Sequence, residues 1–134
     1  MTTTEPVWMT EAARERLVDE LARLEQAGDD ADAARIRELR ETLRRAEVER
    51  KPDDGLVEPG MTVTVRFERD GEVATFLLGS RELARLDPEV ELDVYSPTSP
   101  LGAAIAGRHV GDSVGYAAPS GEQRVTILTA VPFG

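Results

Sequence analysis

Met61-Thr62-Val63-Thr64-Val65-Arg66-Phe67, then Glu68-Arg69-Asp70-Gly71-Glu72, then Val73-Ala74-Thr75-Phe76-Leu77-Leu78 decides the fold class of this 134-residue chain. In the first run apolar and polar residues alternate, so one face of an extended strand is apolar and the other is not. Asp70-Gly71 is a dipeptide suited to a tight hairpin, because glycine reaches positive φ without steric cost. The three pieces together predict an antiparallel hairpin. Downstream, residues 91–95, 113–117 and 124–131 are further strand candidates. Residues 99–106 suit one short helix, with Ser99 as N-cap and Pro100 in the first turn.

Toward the N-terminus the period changes from two to a helical one. Ala13, Leu17, Leu21 and Leu24 recur at helical spacing over residues 10–26, and Thr10 is placed to cap that helix. Ile36, Leu39, Leu43 and Ala46 form a second stripe, the narrow seam of a two-helix coiled coil. Between the stripes lies Ala27-Gly28-Asp29-Asp30-Ala31, in which Gly28 suits the left-handed position that ends a helix. A connection this tight brings the two helices together antiparallel. The remaining helix faces are almost wholly charged, so the hairpin is an arm and not a globular core. In Lys51-Pro52-Asp53-Asp54-Gly55 the proline breaks the helix. The expected organisation is an antiparallel coiled-coil hairpin (8–50), a linker (51–55) and a small antiparallel sheet domain with one short helix (56–134). The fold class is α+β.

Composition removes several function classes. The chain carries 16 Lys and Arg against 26 Asp and Glu, a net charge of −10, so it lacks the positive excess that nucleic-acid phosphates require. Without cysteine there is no disulfide, thiolate metal site or Cys nucleophile. The single His109 excludes a multi-histidine metal site and is expected on a surface turn. No apolar run is long enough to span a bilayer, and Met1–Pro6 lacks the basic and apolar regions of a secretory signal. A cytoplasmic protein with no membrane contact and no intrinsic metal or cofactor is expected. The aromatics are few, and Phe67, Phe76, Tyr95 and Tyr116 are expected to fill the core. That leaves too few to line a prolyl-isomerase pocket.

Three stretches carry a resemblance to a known family. Leu17-x-x-Glu20-Leu21-x-x-Leu24 after Met9-Thr10, and Arg35-Ile36-x-x-Leu39-x-x-x-Leu43-x-x-Ala46, resemble the two arm helices of the Gre family of bacterial transcript-cleavage factors. Ser99-Pro100-Leu101-Gly102-x-x-Ile105-x-Gly107, with Val110-Gly111-Asp112-x-Val114 and Pro119-x-Gly121, resembles that family's C-terminal domain, whose fold is similar to FK506-binding proteins. The resemblance implies a non-enzymatic regulator of transcription, and a monomer is expected because an intramolecular hairpin costs less entropy than pairing with a second copy. RNA polymerase would be bound at the secondary-channel rim through the turn Ser99, Pro100, Leu101 and Gly102, and the arm would enter the channel. In the family, acidic tip residues help hold a catalytic Mg²⁺ of the polymerase. Here Gly28-Asp29-Asp30-Ala31-Asp32 occupies the tip, with Asp32 where the family has Glu. Asp29, Asp30 and Asp32 are the candidate tip residues, with a solvated turn or a helix cap as the plainer reading.

The arm departs from the family pattern in length. About 17 residues span ~25 Å in the first helix and the second spans ~27 Å, both several turns short of the family's arm. Inner-sphere coordination tolerates only a few tenths of an ångström, so the tip is expected to miss the polymerase metal. The short arm resembles the regulator of nucleoside diphosphate kinase and the Gre-factor homologues that inhibit polymerase. Modulated elongation, or competition with full-length cleavage factors, is the expected outcome. The alternatives are a true cleavage stimulator using Asp29 and Asp32, a regulator of a non-transcription partner such as a nucleoside diphosphate kinase, and a folding helper.

Overall fold

The computed structural model describes residues 6–28 and 30–133. It contains β1 (Val7–Trp8), α1 (Glu11–Ala27), a 3₁₀ turn (Asp30–Asp32), α2 (Ala33–Arg44), β2 (Ala46–Glu47), β3 (Met61–Phe67), β4 (Val73–Leu78), α3 (Arg81–Ala84), β5 (Asp93–Tyr95), α4 (Pro100–Ile105), β6 (Ser113–Ala118) and β7 (Gly121–Pro132). It is an α+β chain with a helical N-terminal arm and a five-stranded sheet. The chain divides into two compact units. One is the chain up to Glu49 together with Glu82–Glu89, and the other is Arg50–Arg81 together with the chain from Val90 onward. Residues 82–89, expected within the sheet domain 56–134, group with the helical unit. Among the described residues no helix is long and apolar enough to cross a membrane.

In the sheet unit the strand order is β5-β4-β3-β7-β6. The alternation over Met61–Phe67 does what its period requires: Met61, Val63 and Val65 are fully buried, while Thr62 and Thr64 are only half-buried. Val63 lies opposite Phe76 on β4 and opposite Ala130 on β7. A register shift between Thr64 and Val65 then brings Val65 opposite Ile127, a bulge that keeps apolar residues inward on both strands. Leu101 and Ile105 of α4 belong to the same core as Val57, Phe76, Leu78, Val125 and Ile127.

Two expectations for the sheet are corrected. The sheet is not wholly antiparallel, because β4 and β5 pair in parallel, with Phe76 opposite Asp93 and Leu78 opposite Tyr95. Residues 79–92 form a long connection between them, which a parallel pair needs and a hairpin turn cannot supply. Nor do all four aromatics fill the core. Phe76 is 1% exposed and Tyr95 is 36% exposed, because Tyr95 sits on an edge strand. Phe67 and Tyr116 are half-buried against the core.

In the helical unit the caps are where the sequence put them. Thr10 Oγ1 accepts from the Ala13 N–H at 3.1 Å, and Gly28 ends α1 at φ 64° with its N–H on Leu24 O. The second helix is shorter than expected. It has 12 residues, ~18 Å, because three tip residues wind as 3₁₀ and residues 46–47 leave the helix to pair in parallel with 7–8. Met9, Ala13, Leu17 and Leu39 are buried, with Leu83 and Leu86 packed against them, whereas Leu21, Leu24, Ile36 and Leu43 are half-buried.

Candidate functional site

The tip is the first candidate region. Asp29 lies outside the described residues. Asp30 is exposed and opens the 3₁₀ turn, and Asp32 is half-buried at the N-cap position of α2. Asp32 makes no side-chain capping hydrogen bond there, so the capping role considered for it is not realised. Among the described residues no group of three or more His, Asp or Glu is placed to hold a metal ion. Of the nearby arginines, Arg35 and Arg40 pair with carboxylates of the shaft. Arg35 forks onto Glu20, with Nε to Oε2 at 2.7 Å and Nη2 to Oε1 at 3.0 Å, and also reaches Glu38. Arg40 pairs with Glu25. These bonds brace the shaft across the two helices. Arg35 holds the Glu20 carboxyl below its usual value of 4.5, chiefly by hydrogen bonding and against a smaller opposing effect of burial.

The second region is the turn that opens α4. Ser99 is extended (φ −70°, ψ 159°) and caps the helix, its Oγ accepting from the Gly102 N–H at 3.1 Å and donating to Ser96 O at 2.6 Å. Ser96 Oγ accepts from the Thr98 N–H at 3.1 Å and lies 2.7 Å from Thr98 Oγ1. Every hydroxyl in Ser96-Pro97-Thr98-Ser99 is therefore engaged in fixing the turn. This divides the four candidate residues by accessibility. Pro100 is exposed and Ser99 half-buried, whereas Leu101 and Gly102 are buried. Leu101 packs in the core, so it and Gly102 set the shape of the turn from beneath.

Beside this turn is an open cavity of about 620 Å³, lined by Arg81, Asp93, Val94, Tyr95, Ser96, Thr98 and Ser99. Arg81 and Asp93 are not among the residues expected at a site, and Tyr95 is expected in the core. The available signal was local. Asp93 and Tyr95 are two apart in a short strand ending at Ser96-Pro97, which places both on one face beside the turn.

A family profile described as "Transcription elongation factor, GreA/GreB, C-term" matches residues 51–131, more than half of the chain. The chain belongs to the GreA/GreB family of transcription elongation factors. Transcription elongation factor GreA of Mycolicibacterium vanbaalenii is 35% identical over 166 residues, covering 99% of each protein. That alignment is longer than this chain, so at least 32 residues of the relative (166 less 134) have no counterpart here. GreA of Streptomyces coelicolor is 44% identical over 102 residues, which are 74% of this chain and 59% of that protein. Among solved structures, Thermus aquaticus Gfh1 aligns over 95% of this chain and 99% of its own, at 23% identity and a TM-score of 0.49.

Proposed function

We propose that the protein binds bacterial RNA polymerase through the face around Ser99 and Pro100 and presents its short arm at the secondary channel. It would modulate elongation or compete with full-length factors there, with no chemistry of its own. The docking part is supported by family membership and by the turn itself, which is braced internally and leaves Pro100 open.

The observation that carries the regulatory reading is the length of the arm. α1 has 17 residues and α2 has 12, ~25 Å and ~18 Å. Placed in the arm, about sixteen to each helix, the residues lacking relative to the Mycolicibacterium protein amount to ~24 Å of reach. A carboxylate displaced by even a small part of that length does not enter the inner sphere of a metal. The tip would then occupy the channel without assisting the polymerase Mg²⁺.

Displacement of fluorescently labelled Streptomyces coelicolor GreA from that organism's core RNA polymerase tests the docking. The protein is expected to displace GreA completely, at a concentration set by its own affinity. GreA remaining bound at saturating protein would contradict a shared site.

A further inference from the structure

We infer that the partner is anchored on Tyr95, and that Asp93 and Arg81 select a single cationic side chain of the polymerase as the group received beside it. This deepens the docking reading and rests on it. Asp93 and Tyr95 stand two apart on edge strand β5 and line the same cavity as Ser99. The Tyr95 ring is stacked on Phe76, with centroids 4.6 Å apart and planes 18° from parallel. Phe76 is itself 1% exposed, while Tyr95 remains 36% exposed. The ring is thus held against the core before any partner arrives and still offers contact area. Large residues fixed in this way carry most of the energy of protein interfaces, because little side-chain entropy is lost on binding.

The charges beside Tyr95 are available. Asp93 and Arg81 are exposed and line the cavity, and neither has an ion-pair partner among the described residues. The sheet unit that holds the cavity carries 7 Lys and Arg against 10 Asp and Glu, so a partner surface complementary to it is basic. A guanidinium or ammonium can pair with the Asp93 carboxylate while lying against the Tyr95 ring. Arg81 repels a second cation and so limits the site to one, a repulsive element of the kind that sharpens specificity.

Titration of the full chain against Streptomyces coelicolor core RNA polymerase tests this. Asp93→Arg is expected to weaken binding at least about tenfold and to flatten its salt dependence. Tyr95→Ala is expected to weaken it about thirtyfold or more, and Tyr95→Phe to stay within about twofold of wild type. Arg81→Glu is expected to tighten binding, since it removes the like charge beside the incoming cation. Tyr95→Ala also removes the stack on Phe76, so its melting curve is measured alongside. Should it unfold, the exposed Asp93→Arg and Arg81→Glu variants carry the test. Unchanged binding by Asp93→Arg, or weaker binding by Arg81→Glu, would overturn the cationic occupant and leave polymerase docking standing. Failure of the wild-type chain to bind polymerase would overturn the docking reading and this inference with it.

Discussion

A β-carbon built on Gly102 would lie 1.9 Å from the main-chain oxygen of Ser96. That oxygen is also the acceptor for Ser99 Oγ at 2.6 Å. The turn therefore folds back onto α4 at a point where only glycine fits, and the obstacle is backbone that cannot rotate away. Gly102→Ala is expected to destabilise the sheet unit by about 1–3 kcal/mol, the range for overpacking a filled site, and to weaken polymerase binding by opening the turn. Urea denaturation with the titration described above checks both effects. An alanine variant of unchanged stability would contradict the close approach.

Gly28 makes the opposite case. Its φ is 64° and nothing lies within 4 Å of its missing β-carbon. Gly28→Ala is thus expected to cost only the left-handed conformation, about 1 kcal/mol. Far-ultraviolet circular dichroism during thermal melting should show weakened helix with no loss of polymerase binding.

Ser99→Ala removes one cap and is expected to cost about 1 kcal/mol, while Ser99→Thr retains the capping oxygen and most of the stability. If Ser99 serves the interface only by holding the turn, polymerase affinity follows stability across the pair. Threonine restoring stability without restoring affinity would mean that Ser99 touches the partner itself.

The Glu20–Arg35 fork gives a pH dependence of defined sign. Glu20 titrates below its ordinary 4.5 because Arg35 hydrogen-bonds its charged form. The resulting stabilisation is complete above about 4.5 and is lost as pH falls through the lowered value. The Glu20 and Arg35 side chains are 30% and 38% exposed, so solvent screening holds the contribution to about 1 kcal/mol or less. Arg35→Gln is expected to melt earlier than wild type at neutral pH, and the two curves should converge as pH falls below about 4.5 and through the lowered value. A constant offset down to acid would place the loss in packing.

Legibility from sequence followed the range over which each determinant acts. The β3–β4 hairpin and the caps at Thr10, Gly28 and Ser99 are decided by residues a few positions apart, so pattern and turn chemistry were enough to find them. The parallel pairing of β5 is a long-range choice with no local mark. The same holds for 82–89, whose Leu83 and Leu86 pack with Met9 and Leu39 far from them in sequence. The short pair of β1 and β2 rests on two residues each, too few to produce a period. At the site, Ser99 and Pro100 were visible as a helix start. Tyr95 was misplaced because aromatic residues in strands are usually buried, and only its edge position exposes it.

The central claim is that the arm falls short of the polymerase metal, so the tip carboxylates are not catalytic support. Its most direct test uses a backtracked elongation complex with 3′-labelled RNA, with the protein added alone and together with a full-length GreA. The account predicts no release of short 3′ fragments by the protein alone and a loss of GreA-dependent cleavage when both are present, unchanged by Asp29→Ala or Asp32→Ala. Release of fragments by the protein itself, abolished by those two substitutions, would contradict it.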